Sequence, residues 1–297
     1  MTMNAAVPLR RGLLSISAAA VAWGVGGAVA ALLLRTSGLG PVAVCFWRFA
    51  VAAGCLALVP TGRRRAGDRP GARGAAVLTG LGLAVSQCAY FGSVQYAGLG
   101  LGTLITIGAG PVLTSLGAHL LLGERLTVRA SAAIALALGG LALLFAAPAA
   151  GPRPLLGVGL AALAGAGQSG LTLWARGGGS ARASGGAFTT GLLCLLPLAA
   201  VEGVLPTAGG PVLTAGALLF LGTVPTLLAY RWYFTGLTAV PGATAAVLVL
   251  LEPATAVLIA VVCFGEPVTP ALATGSALLL AAIAVLTREA GRSAGPA

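Results

Sequence analysis

The second half of the chain repeats the first at a constant offset of 142 positions. Gly110-Pro111 followed by Gly123-Glu124 corresponds to Glu252-Pro253 followed by Gly265-Glu266, with thirteen positions from each proline to the glutamate after the glycine. A gapless shift over most of the chain indicates a duplicated unit of about half its length. Any fold proposed for this chain must therefore contain the same unit twice.

The composition places that unit in a lipid bilayer. Hydrophobic residues make up 58% of the 297 residues and charged residues 8%, a balance typical of a chain whose solvent is lipid. Ten apolar stretches are long enough to cross about 30 Å of hydrocarbon as helices. They lie near residues 13–34, 41–60, 74–97, 101–122, 130–147, 155–175, 185–204, 212–234, 243–264 and 270–286.

A break at 148–154 divides these stretches into five and five. An odd number of spans places the second unit upside down relative to the first, which is the inverted-repeat plan of secondary transporters. We therefore predict an all-α polytopic membrane protein with ten transmembrane helices in two inverted five-helix repeats. The repeats are residues 1–150 and residues 151–297, the second ending in a short cytoplasmic tail.

The arginines predict the orientation. All 17 basic residues are arginines, and they lie mainly in short connections. With a cytoplasmic N-terminus the outer loops hold only Arg35 and Arg153, as the positive-inside rule requires. We therefore expect a multi-pass protein of the plasma (inner) membrane with both termini cytoplasmic. The net charge of +11 does not indicate nucleic-acid binding, because the sequence contains no soluble basic domain.

Three features together resemble the drug/metabolite transporter superfamily, EamA type. They are Trp23-Gly24 in the first span, Pro41 through Arg48-Phe49 in the second, and the two Pro…Gly-Glu-x-x-Thr endings. The resemblance covers about residues 13–287 and implies a ten-helix exporter or permease. Its central cavity would be lined by spans 1, 3, 4, 6, 8 and 9, with spans 5 and 10 at the periphery. Thr190 stands in the second repeat where the first has Arg48, so any role of that arginine is not symmetric.

Glu252 is the sharpest candidate for a substrate-binding residue. It lies about nine residues into its span, roughly 14 Å deep. A carboxylate there costs several kcal/mol unless it is protonated, paired or facing water. It would hold a substrate amine or a proton; alternatively, it is a structural carboxyl that fixes the span. Arg48 is a candidate charge partner for Glu252 or for a substrate carboxylate, and it could equally snorkel toward the outer surface.

Amides and aromatic rings supply the other candidate cavity residues. Gln87 lies in span 3 on the same helical face as Phe91, and Gln168 occupies a similar position in span 6. Trp23 and Trp232 could stack on a ligand, whereas Tyr230 is expected to anchor a span end at the membrane interface. Interhelical hydrogen bonding without a role in transport is the alternative for the amides.

The two repeated prolines predict helix bends. Pro111 and Pro253 each remove one backbone hydrogen bond from spans 4 and 9, and both bends are expected to face a central water-filled cavity. Glu124 and Glu266 are expected to face helix N-termini, where a carboxylate is stabilised.

The sequence thus predicts a secondary transporter, most simply an exporter, of small metabolites such as amino acids or amines, working by alternating access. The alternatives are a small multidrug or nucleotide-sugar type transporter of the same superfamily, a receptor or scaffold, and an intramembrane serine protease using Ser169 and His119. The five cysteines lack metal-ligand spacing and no ATP-binding P-loop is present. We therefore expect no metal, cofactor or catalytic residue. The expected partners are a small-molecule substrate and the lipid bilayer, with proton coupling and a homodimer left open.

Overall fold

The computed structural model describes residues 8–58, 72–123, 128–146, 151–176, 185–237, 239, 248–249 and 251–293. All regular secondary structure in these ranges is helical. By length and composition, six of the helices within them can cross a membrane, and four more are apolar but shorter. Each of the ten apolar stretches in the sequence overlaps one of these helices, which makes the chain a polytopic helical membrane protein.

The first half of the chain contains α1 (Leu9–Thr36), α2 (Pro41–Leu58), α3 (Ala72–Ala97), α4 (Leu99–Leu122) and α5 (Val128–Ala146). The second contains α6 (Pro154–Arg176), α7 (Gly185–Glu202), α8, α9 (Leu251–Phe264) and α10 (Pro270–Ser293). Helix α8 is continuous and consists of three segments: Pro211–Gly222, a π-helical turn at Thr223–Leu228, and Ala229–Leu237.

The molecule is apolar on its outer surface as well as in its core. Val201 and Val212 are 89% and 86% exposed, whereas Arg48 and Glu266 are both buried. Exposed aliphatic side chains along so many of the helices are unusual for a protein surrounded by water. They are expected when lipid covers the outside of the helix bundle.

Helix packing follows a regular rule. Helix α3 packs on α6 and α1 packs on α8; α4 packs on α6 and α1 packs on α9. The pairs α2–α7, α4–α9 and α5–α10 also pack together. A helix of the first half corresponds to the helix numbered five higher in the second half. Under this correspondence α3–α6 becomes α8–α1 and α4–α6 becomes α9–α1, whereas each of the last three pairs becomes itself. Helices α5 and α10 pack mainly on each other and on α4, as expected for peripheral spans.

At one end of the helix bundle, the carboxylate of Glu266 connects the start of α4 to the end of α1. Its oxygens accept hydrogen bonds from Leu99 N at 2.7 Å and Gly100 N at 2.9 Å, at the start of α4. Arg35, at the end of α1, lies 3.5 Å from the same carboxylate. Glu266 therefore faces a helix N-terminus, as expected, but that of α4 rather than that of the helix following it in sequence. Glu124 lies outside the described residues.

Candidate functional site

Helix α1 is the element around which the site is built, because three glycines allow three helices to approach it. A Cβ at Gly24 would lie 2.7 Å from the Glu252 carbonyl oxygen of α9. At Gly26 it would lie 2.8 Å from Pro225 of α8, and at Gly27 2.6 Å from the hydroxyl of Tyr90 in α3. Residues 24–27 thus fix how closely α8, α9 and α3 surround α1.

The π-helical turn of α8, which lies against Gly26 of α1, provides polar groups to the site. Pro225 has no N–H to donate to the carbonyl of Leu221, and the hydroxyl of Thr226 donates to that carbonyl instead, at 2.8 Å. Within the turn, the N–H of Ala229 donates to the carbonyl of Val224, five residues earlier, as in a π-helix. The carbonyl of Pro225 accepts a hydrogen bond from Nε1 of Trp23, at 2.8 Å.

Arg48 of α2 extends into the bundle and does not snorkel to the surface. Its side chain is 8% exposed. Nε donates to Oγ1 of Thr226 at 2.6 Å, and Nη1 donates to Oε1 of Gln87 at 2.5 Å. The guanidinium carbon lies 5.6 Å from the centre of the Phe91 ring, within the range of a cation–π contact. Arg48, Gln87 and Phe91 therefore form one cluster, and α2 contributes to the site although the family resemblance did not place it there.

Glu252 lies in the first described turn of α9 and is partly exposed. Among the described residues, no hydrogen-bond donor contacts its carboxylate. Arg48, Tyr90 and Tyr230 lie close enough for electrostatic interaction with it. Arg48 does not form a salt bridge with it, however, because among the described residues the salt bridge within 4 Å is Arg35–Glu266. The predicted pairing of Arg48 with Glu252 is thus a proximity rather than a salt bridge.

Aromatic rings pack beside this acidic group. The ring of Trp23 lies 5.4 Å from that of Tyr230 and 5.5 Å from that of Tyr233, and Trp232 packs in the same cluster. Tyr230 therefore packs against the predicted cavity residue Trp23, and its role as an anchor at the membrane interface stays a prediction. A carboxylate near aromatic rings is an arrangement able to hold an organic cation.

Gln168, Ser169 and His119 are the other polar residues that the sequence singles out. Gln168 is exposed on α6 and is not a hydrogen-bond partner of Arg48. Ser169 is buried, and its hydroxyl lies 2.9 Å from the Gly110 carbonyl and 2.8 Å from the Gly165 carbonyl. His119 is exposed near the end of α4. The geometry therefore gives no support to a Ser169–His119 pair.

The two prolines have different surroundings in the described structure. Pro111 lies within the continuous helix α4. Pro253 is buried in the first described turn of α9. Most of the residues before that turn, 240–247 and 250, lie outside the described residues. The predicted pair of bends facing one cavity therefore stays a prediction.

Sequence reasoning missed Thr226, Tyr90 and Tyr233. The signal for Thr226 was present, since Pro225 lies inside the eighth apolar stretch and must leave one carbonyl without its helical donor. The threonine beside it is the nearest group able to satisfy that carbonyl. In the described residues no group of three or more His, Cys, Asp or Glu side chains could hold a metal ion.

Comparison with known proteins agrees with this architecture. The EamA-like transporter family matches the chain twice, over residues 10–146 and 155–288. The chain is 29% identical over 276 residues to the uncharacterized transporter YwfM of Bacillus subtilis (strain 168), covering 91% of each protein. It is also 35% identical over 296 residues to the uncharacterized protein PA1977 of Pseudomonas aeruginosa (strain PAO1), covering 97% of this chain and 99% of that protein.

One solved crystal structure shares the fold. It has a TM-score of 0.61 and 20% sequence identity, and the match covers 97% of this chain and 100% of the other. The matches to the family over both halves and to relatives over nearly their full lengths agree with the apolar helices of the fold. The chain belongs to the EamA-like transporter family of membrane proteins, within the drug/metabolite transporter superfamily.

Proposed function

We propose that this transporter exports small metabolites such as amino acids or amines across the plasma membrane by alternating access. The observation that carries the proposal is the carboxylate of Glu252, which has no hydrogen-bond donor among the described residues and lies near Arg48 and Tyr230. A charged group in a membrane span costs free energy unless a ligand, proton or water compensates it. A solute amine or a transported proton would provide that compensation.

Two inverted five-helix repeats would supply the motion. The helix pairs exchanged by adding five to each helix number support this proposal, as does the family match over 10–146 and 155–288. Rocking of one repeat against the other would expose the Glu252 region to each side of the membrane in turn. No bound nucleotide is required, because the gradient of the solute or of protons drives such a carrier.

The orientation proposed from the arginines can be tested by labelling. Single cysteines should be introduced at Arg153 and Arg65 in a chain whose five native cysteines are replaced. A membrane-impermeant maleimide applied to intact cells should modify position 153 and leave position 65 unmodified until the cells are opened. Modification of position 65 in intact cells would contradict both the cytoplasmic termini and the inversion.

Transport itself is best tested in proteoliposomes loaded with isotopically labelled solutes. The panel should contain L-amino acids, their decarboxylated amines, quaternary amines and sugars, with efflux measured with and without a pH gradient. Glu252→Gln should lower the transport of the amine-bearing substrate by about 100-fold, since losing one partner of a buried charged pair costs about 3 kcal/mol. Glu252→Asp should retain part of the activity.

Glu202→Gln is the matched control. Glu202 lies at the end of α7, where it accepts a hydrogen bond from Ala43 N at 2.6 Å, and a glutamine oxygen can accept the same bond. This variant should transport as the wild type does. Efflux by Glu252→Gln equal to wild type at every pH would refute the proposal. Transport restricted to quaternary amines would instead favour a small multidrug transporter.

A further inference from the structure

The guanidinium of Arg48 is held at two of its three nitrogens. Nε donates to Thr226 and Nη1 donates to Gln87, while Nη2 has no hydrogen-bond partner among the described residues. We propose that Thr226 is a positioning residue, whose hydroxyl orients Arg48 so that Nη2 binds the carboxylate of the transported solute. This inference rests on the proposed function and specifies the solute as one that carries a carboxylate.

The direction of the hydrogen bonds makes Thr226 suited to this role. A threonine hydroxyl has one proton to donate and two lone pairs with which to accept. Pro225 leaves the Leu221 carbonyl without its helical donor, and the Thr226 hydroxyl donates its proton there, at 2.8 Å. The same oxygen can then only accept, and Nε of Arg48 is the donor that it accepts from, at 2.6 Å.

The plane of the guanidinium is fixed by two further contacts. Oε1 of Gln87 accepts from Nη1 at 2.5 Å, and the Phe91 ring centre lies 5.6 Å from the guanidinium carbon. Because the group is planar and rigid, fixing two nitrogens and one face determines where the third nitrogen points. Nη2 is therefore set in place before any ligand arrives, which lowers the entropy cost of binding.

The charge of Arg48 favours an anionic ligand. Its hydrogen-bond acceptors are a hydroxyl and an amide, both neutral, and it has no ion pair within 4 Å among the described residues. A buried cation with only neutral acceptors lacks the charge compensation that buried ions require. A carboxylate is the acceptor that a guanidinium binds most strongly, so a solute that places one at Nη2 and an amine at Glu252 would compensate both charges.

Three variants of α8 test the proposal in proteoliposomes. Thr226→Val removes the hydroxyl at nearly constant volume, Thr226→Ser retains it, and Thr223→Val is the matched control. Thr223 lies in the same π-helical turn, but its hydroxyl donates to the Leu219 carbonyl at 2.7 Å and does not contact Arg48. The solutes are an L-amino acid that the wild type transports and its decarboxylated amine.

Thr226→Val should raise the KM for the amino acid by about tenfold, the loss of about one hydrogen bond to a charged group, with the maximal rate within about twofold. The KM for the amine should not change. Thr226→Ser should restore the wild-type KM, and Thr223→Val should not alter it. An equal rise in KM for both solutes, or failure of Thr226→Ser to restore it, would refute the positioning role.

A second measurement applies if no solute on the panel is transported, which would refute the proposed function rather than this inference. Phenylglyoxal modification of Arg48 in the purified protein, followed by mass spectrometry, reports how firmly the guanidinium is held. Thr226→Val should accelerate the modification several-fold relative to wild type, Thr226→Ser and Thr223→Val. An equal rate in all four proteins would overturn the role of Thr226 independently of any transport assay.

Discussion

Two regions of this transporter are formed by matching helices but contain different chemistry. In the first, which we call the polar region, α1 packs against α8 and α9, and the Arg48 side chain of α2 reaches α8. In the second, the compact region, α6 packs against α3 and α4. The sequence repeat matches Glu252 of the polar region with Gly110 of the compact region, and Trp23 with Gly165.

Three hydroxyls of the compact region are bonded to backbone carbonyls of neighbouring helices. Ser86 donates to the Ala164 carbonyl at 2.9 Å, Thr106 to the Ala161 carbonyl at 3.3 Å, and Ser169 to the Gly110 carbonyl at 2.9 Å. Bonds of this kind hold helices together in lipid, where water cannot compete. These three hydroxyls are therefore used in packing and are not free to bind a ligand.

The polar region has the opposite character. The Glu252 carboxylate and Nη2 of Arg48 have no hydrogen-bond partners among the described residues, although both belong to charged groups. Matching sets of helices thus need not carry the same chemistry. The compact region uses its hydroxyls in packing, whereas the polar region holds a carboxylate and a guanidinium nitrogen without hydrogen-bond partners among the described residues.

The largest effect is expected where α1 meets α9. A methyl group at Gly24 would lie 2.7 Å from both the Glu252 carbonyl oxygen and Cβ of Thr255. Gly24→Ala must therefore displace α9, at a cost of about 1–3 kcal/mol for overpacking, partly offset by about 1 kcal/mol of helix propensity. Because Glu252 would move, we expect transport to fall at least tenfold, measured as efflux from proteoliposomes at matched protein levels.

Two glycines of the compact region are the controls for that change. A Cβ at Gly110 would meet nothing within 4 Å, whereas at Gly165 it would lie 2.9 Å from the Thr106 carbonyl oxygen. Gly110→Ala should therefore be neutral, and Gly165→Ala should lower thermal stability without changing the substrate KM. Normal transport by Gly24→Ala would show that the close α1–α9 contact is not part of the site.

The sequence was sufficient for the parts of this comparison that depend on local chemistry. Apolar length predicted the helices, and the constant offset of 142 agrees with the exchange of helix pairs. Glu252 as a substrate-binding residue stays a prediction. These features are readable because lipid penalises charge and unsatisfied backbone wherever they occur. The sequence also has Thr190 at the position that corresponds to Arg48, which predicts that any role of Arg48 is not repeated in the second half of the chain.

The sequence did not predict contacts that depend on how each helix is rotated and how far it is shifted. Arg48 and Thr226 are 178 positions apart, and no periodicity specifies that their helices meet at that level. Gln168 and Ser169 are adjacent, yet the first is exposed and the second buried. A rotation of α6 by one residue would exchange them, so the sequence alone does not specify which of the two is buried. Gln168 as a residue of the cavity wall stays a prediction.

The smallest effect is expected at Ser169, which tests whether the compact region is only structural. Ser169→Ala removes a hydroxyl that contacts the carbonyls of Gly110 and Gly165. The loss of one such hydrogen bond costs about 1 kcal/mol, so thermal unfolding in detergent should begin a few degrees lower. The substrate KM should stay within about twofold of wild type, unlike the roughly tenfold rise expected for Thr226→Val. A KM for Ser169→Ala raised as far as that of Thr226→Val would mean that the solute also contacts the compact region. The asymmetry between the two regions would then be one of packing alone, and the binding site would extend across both repeats.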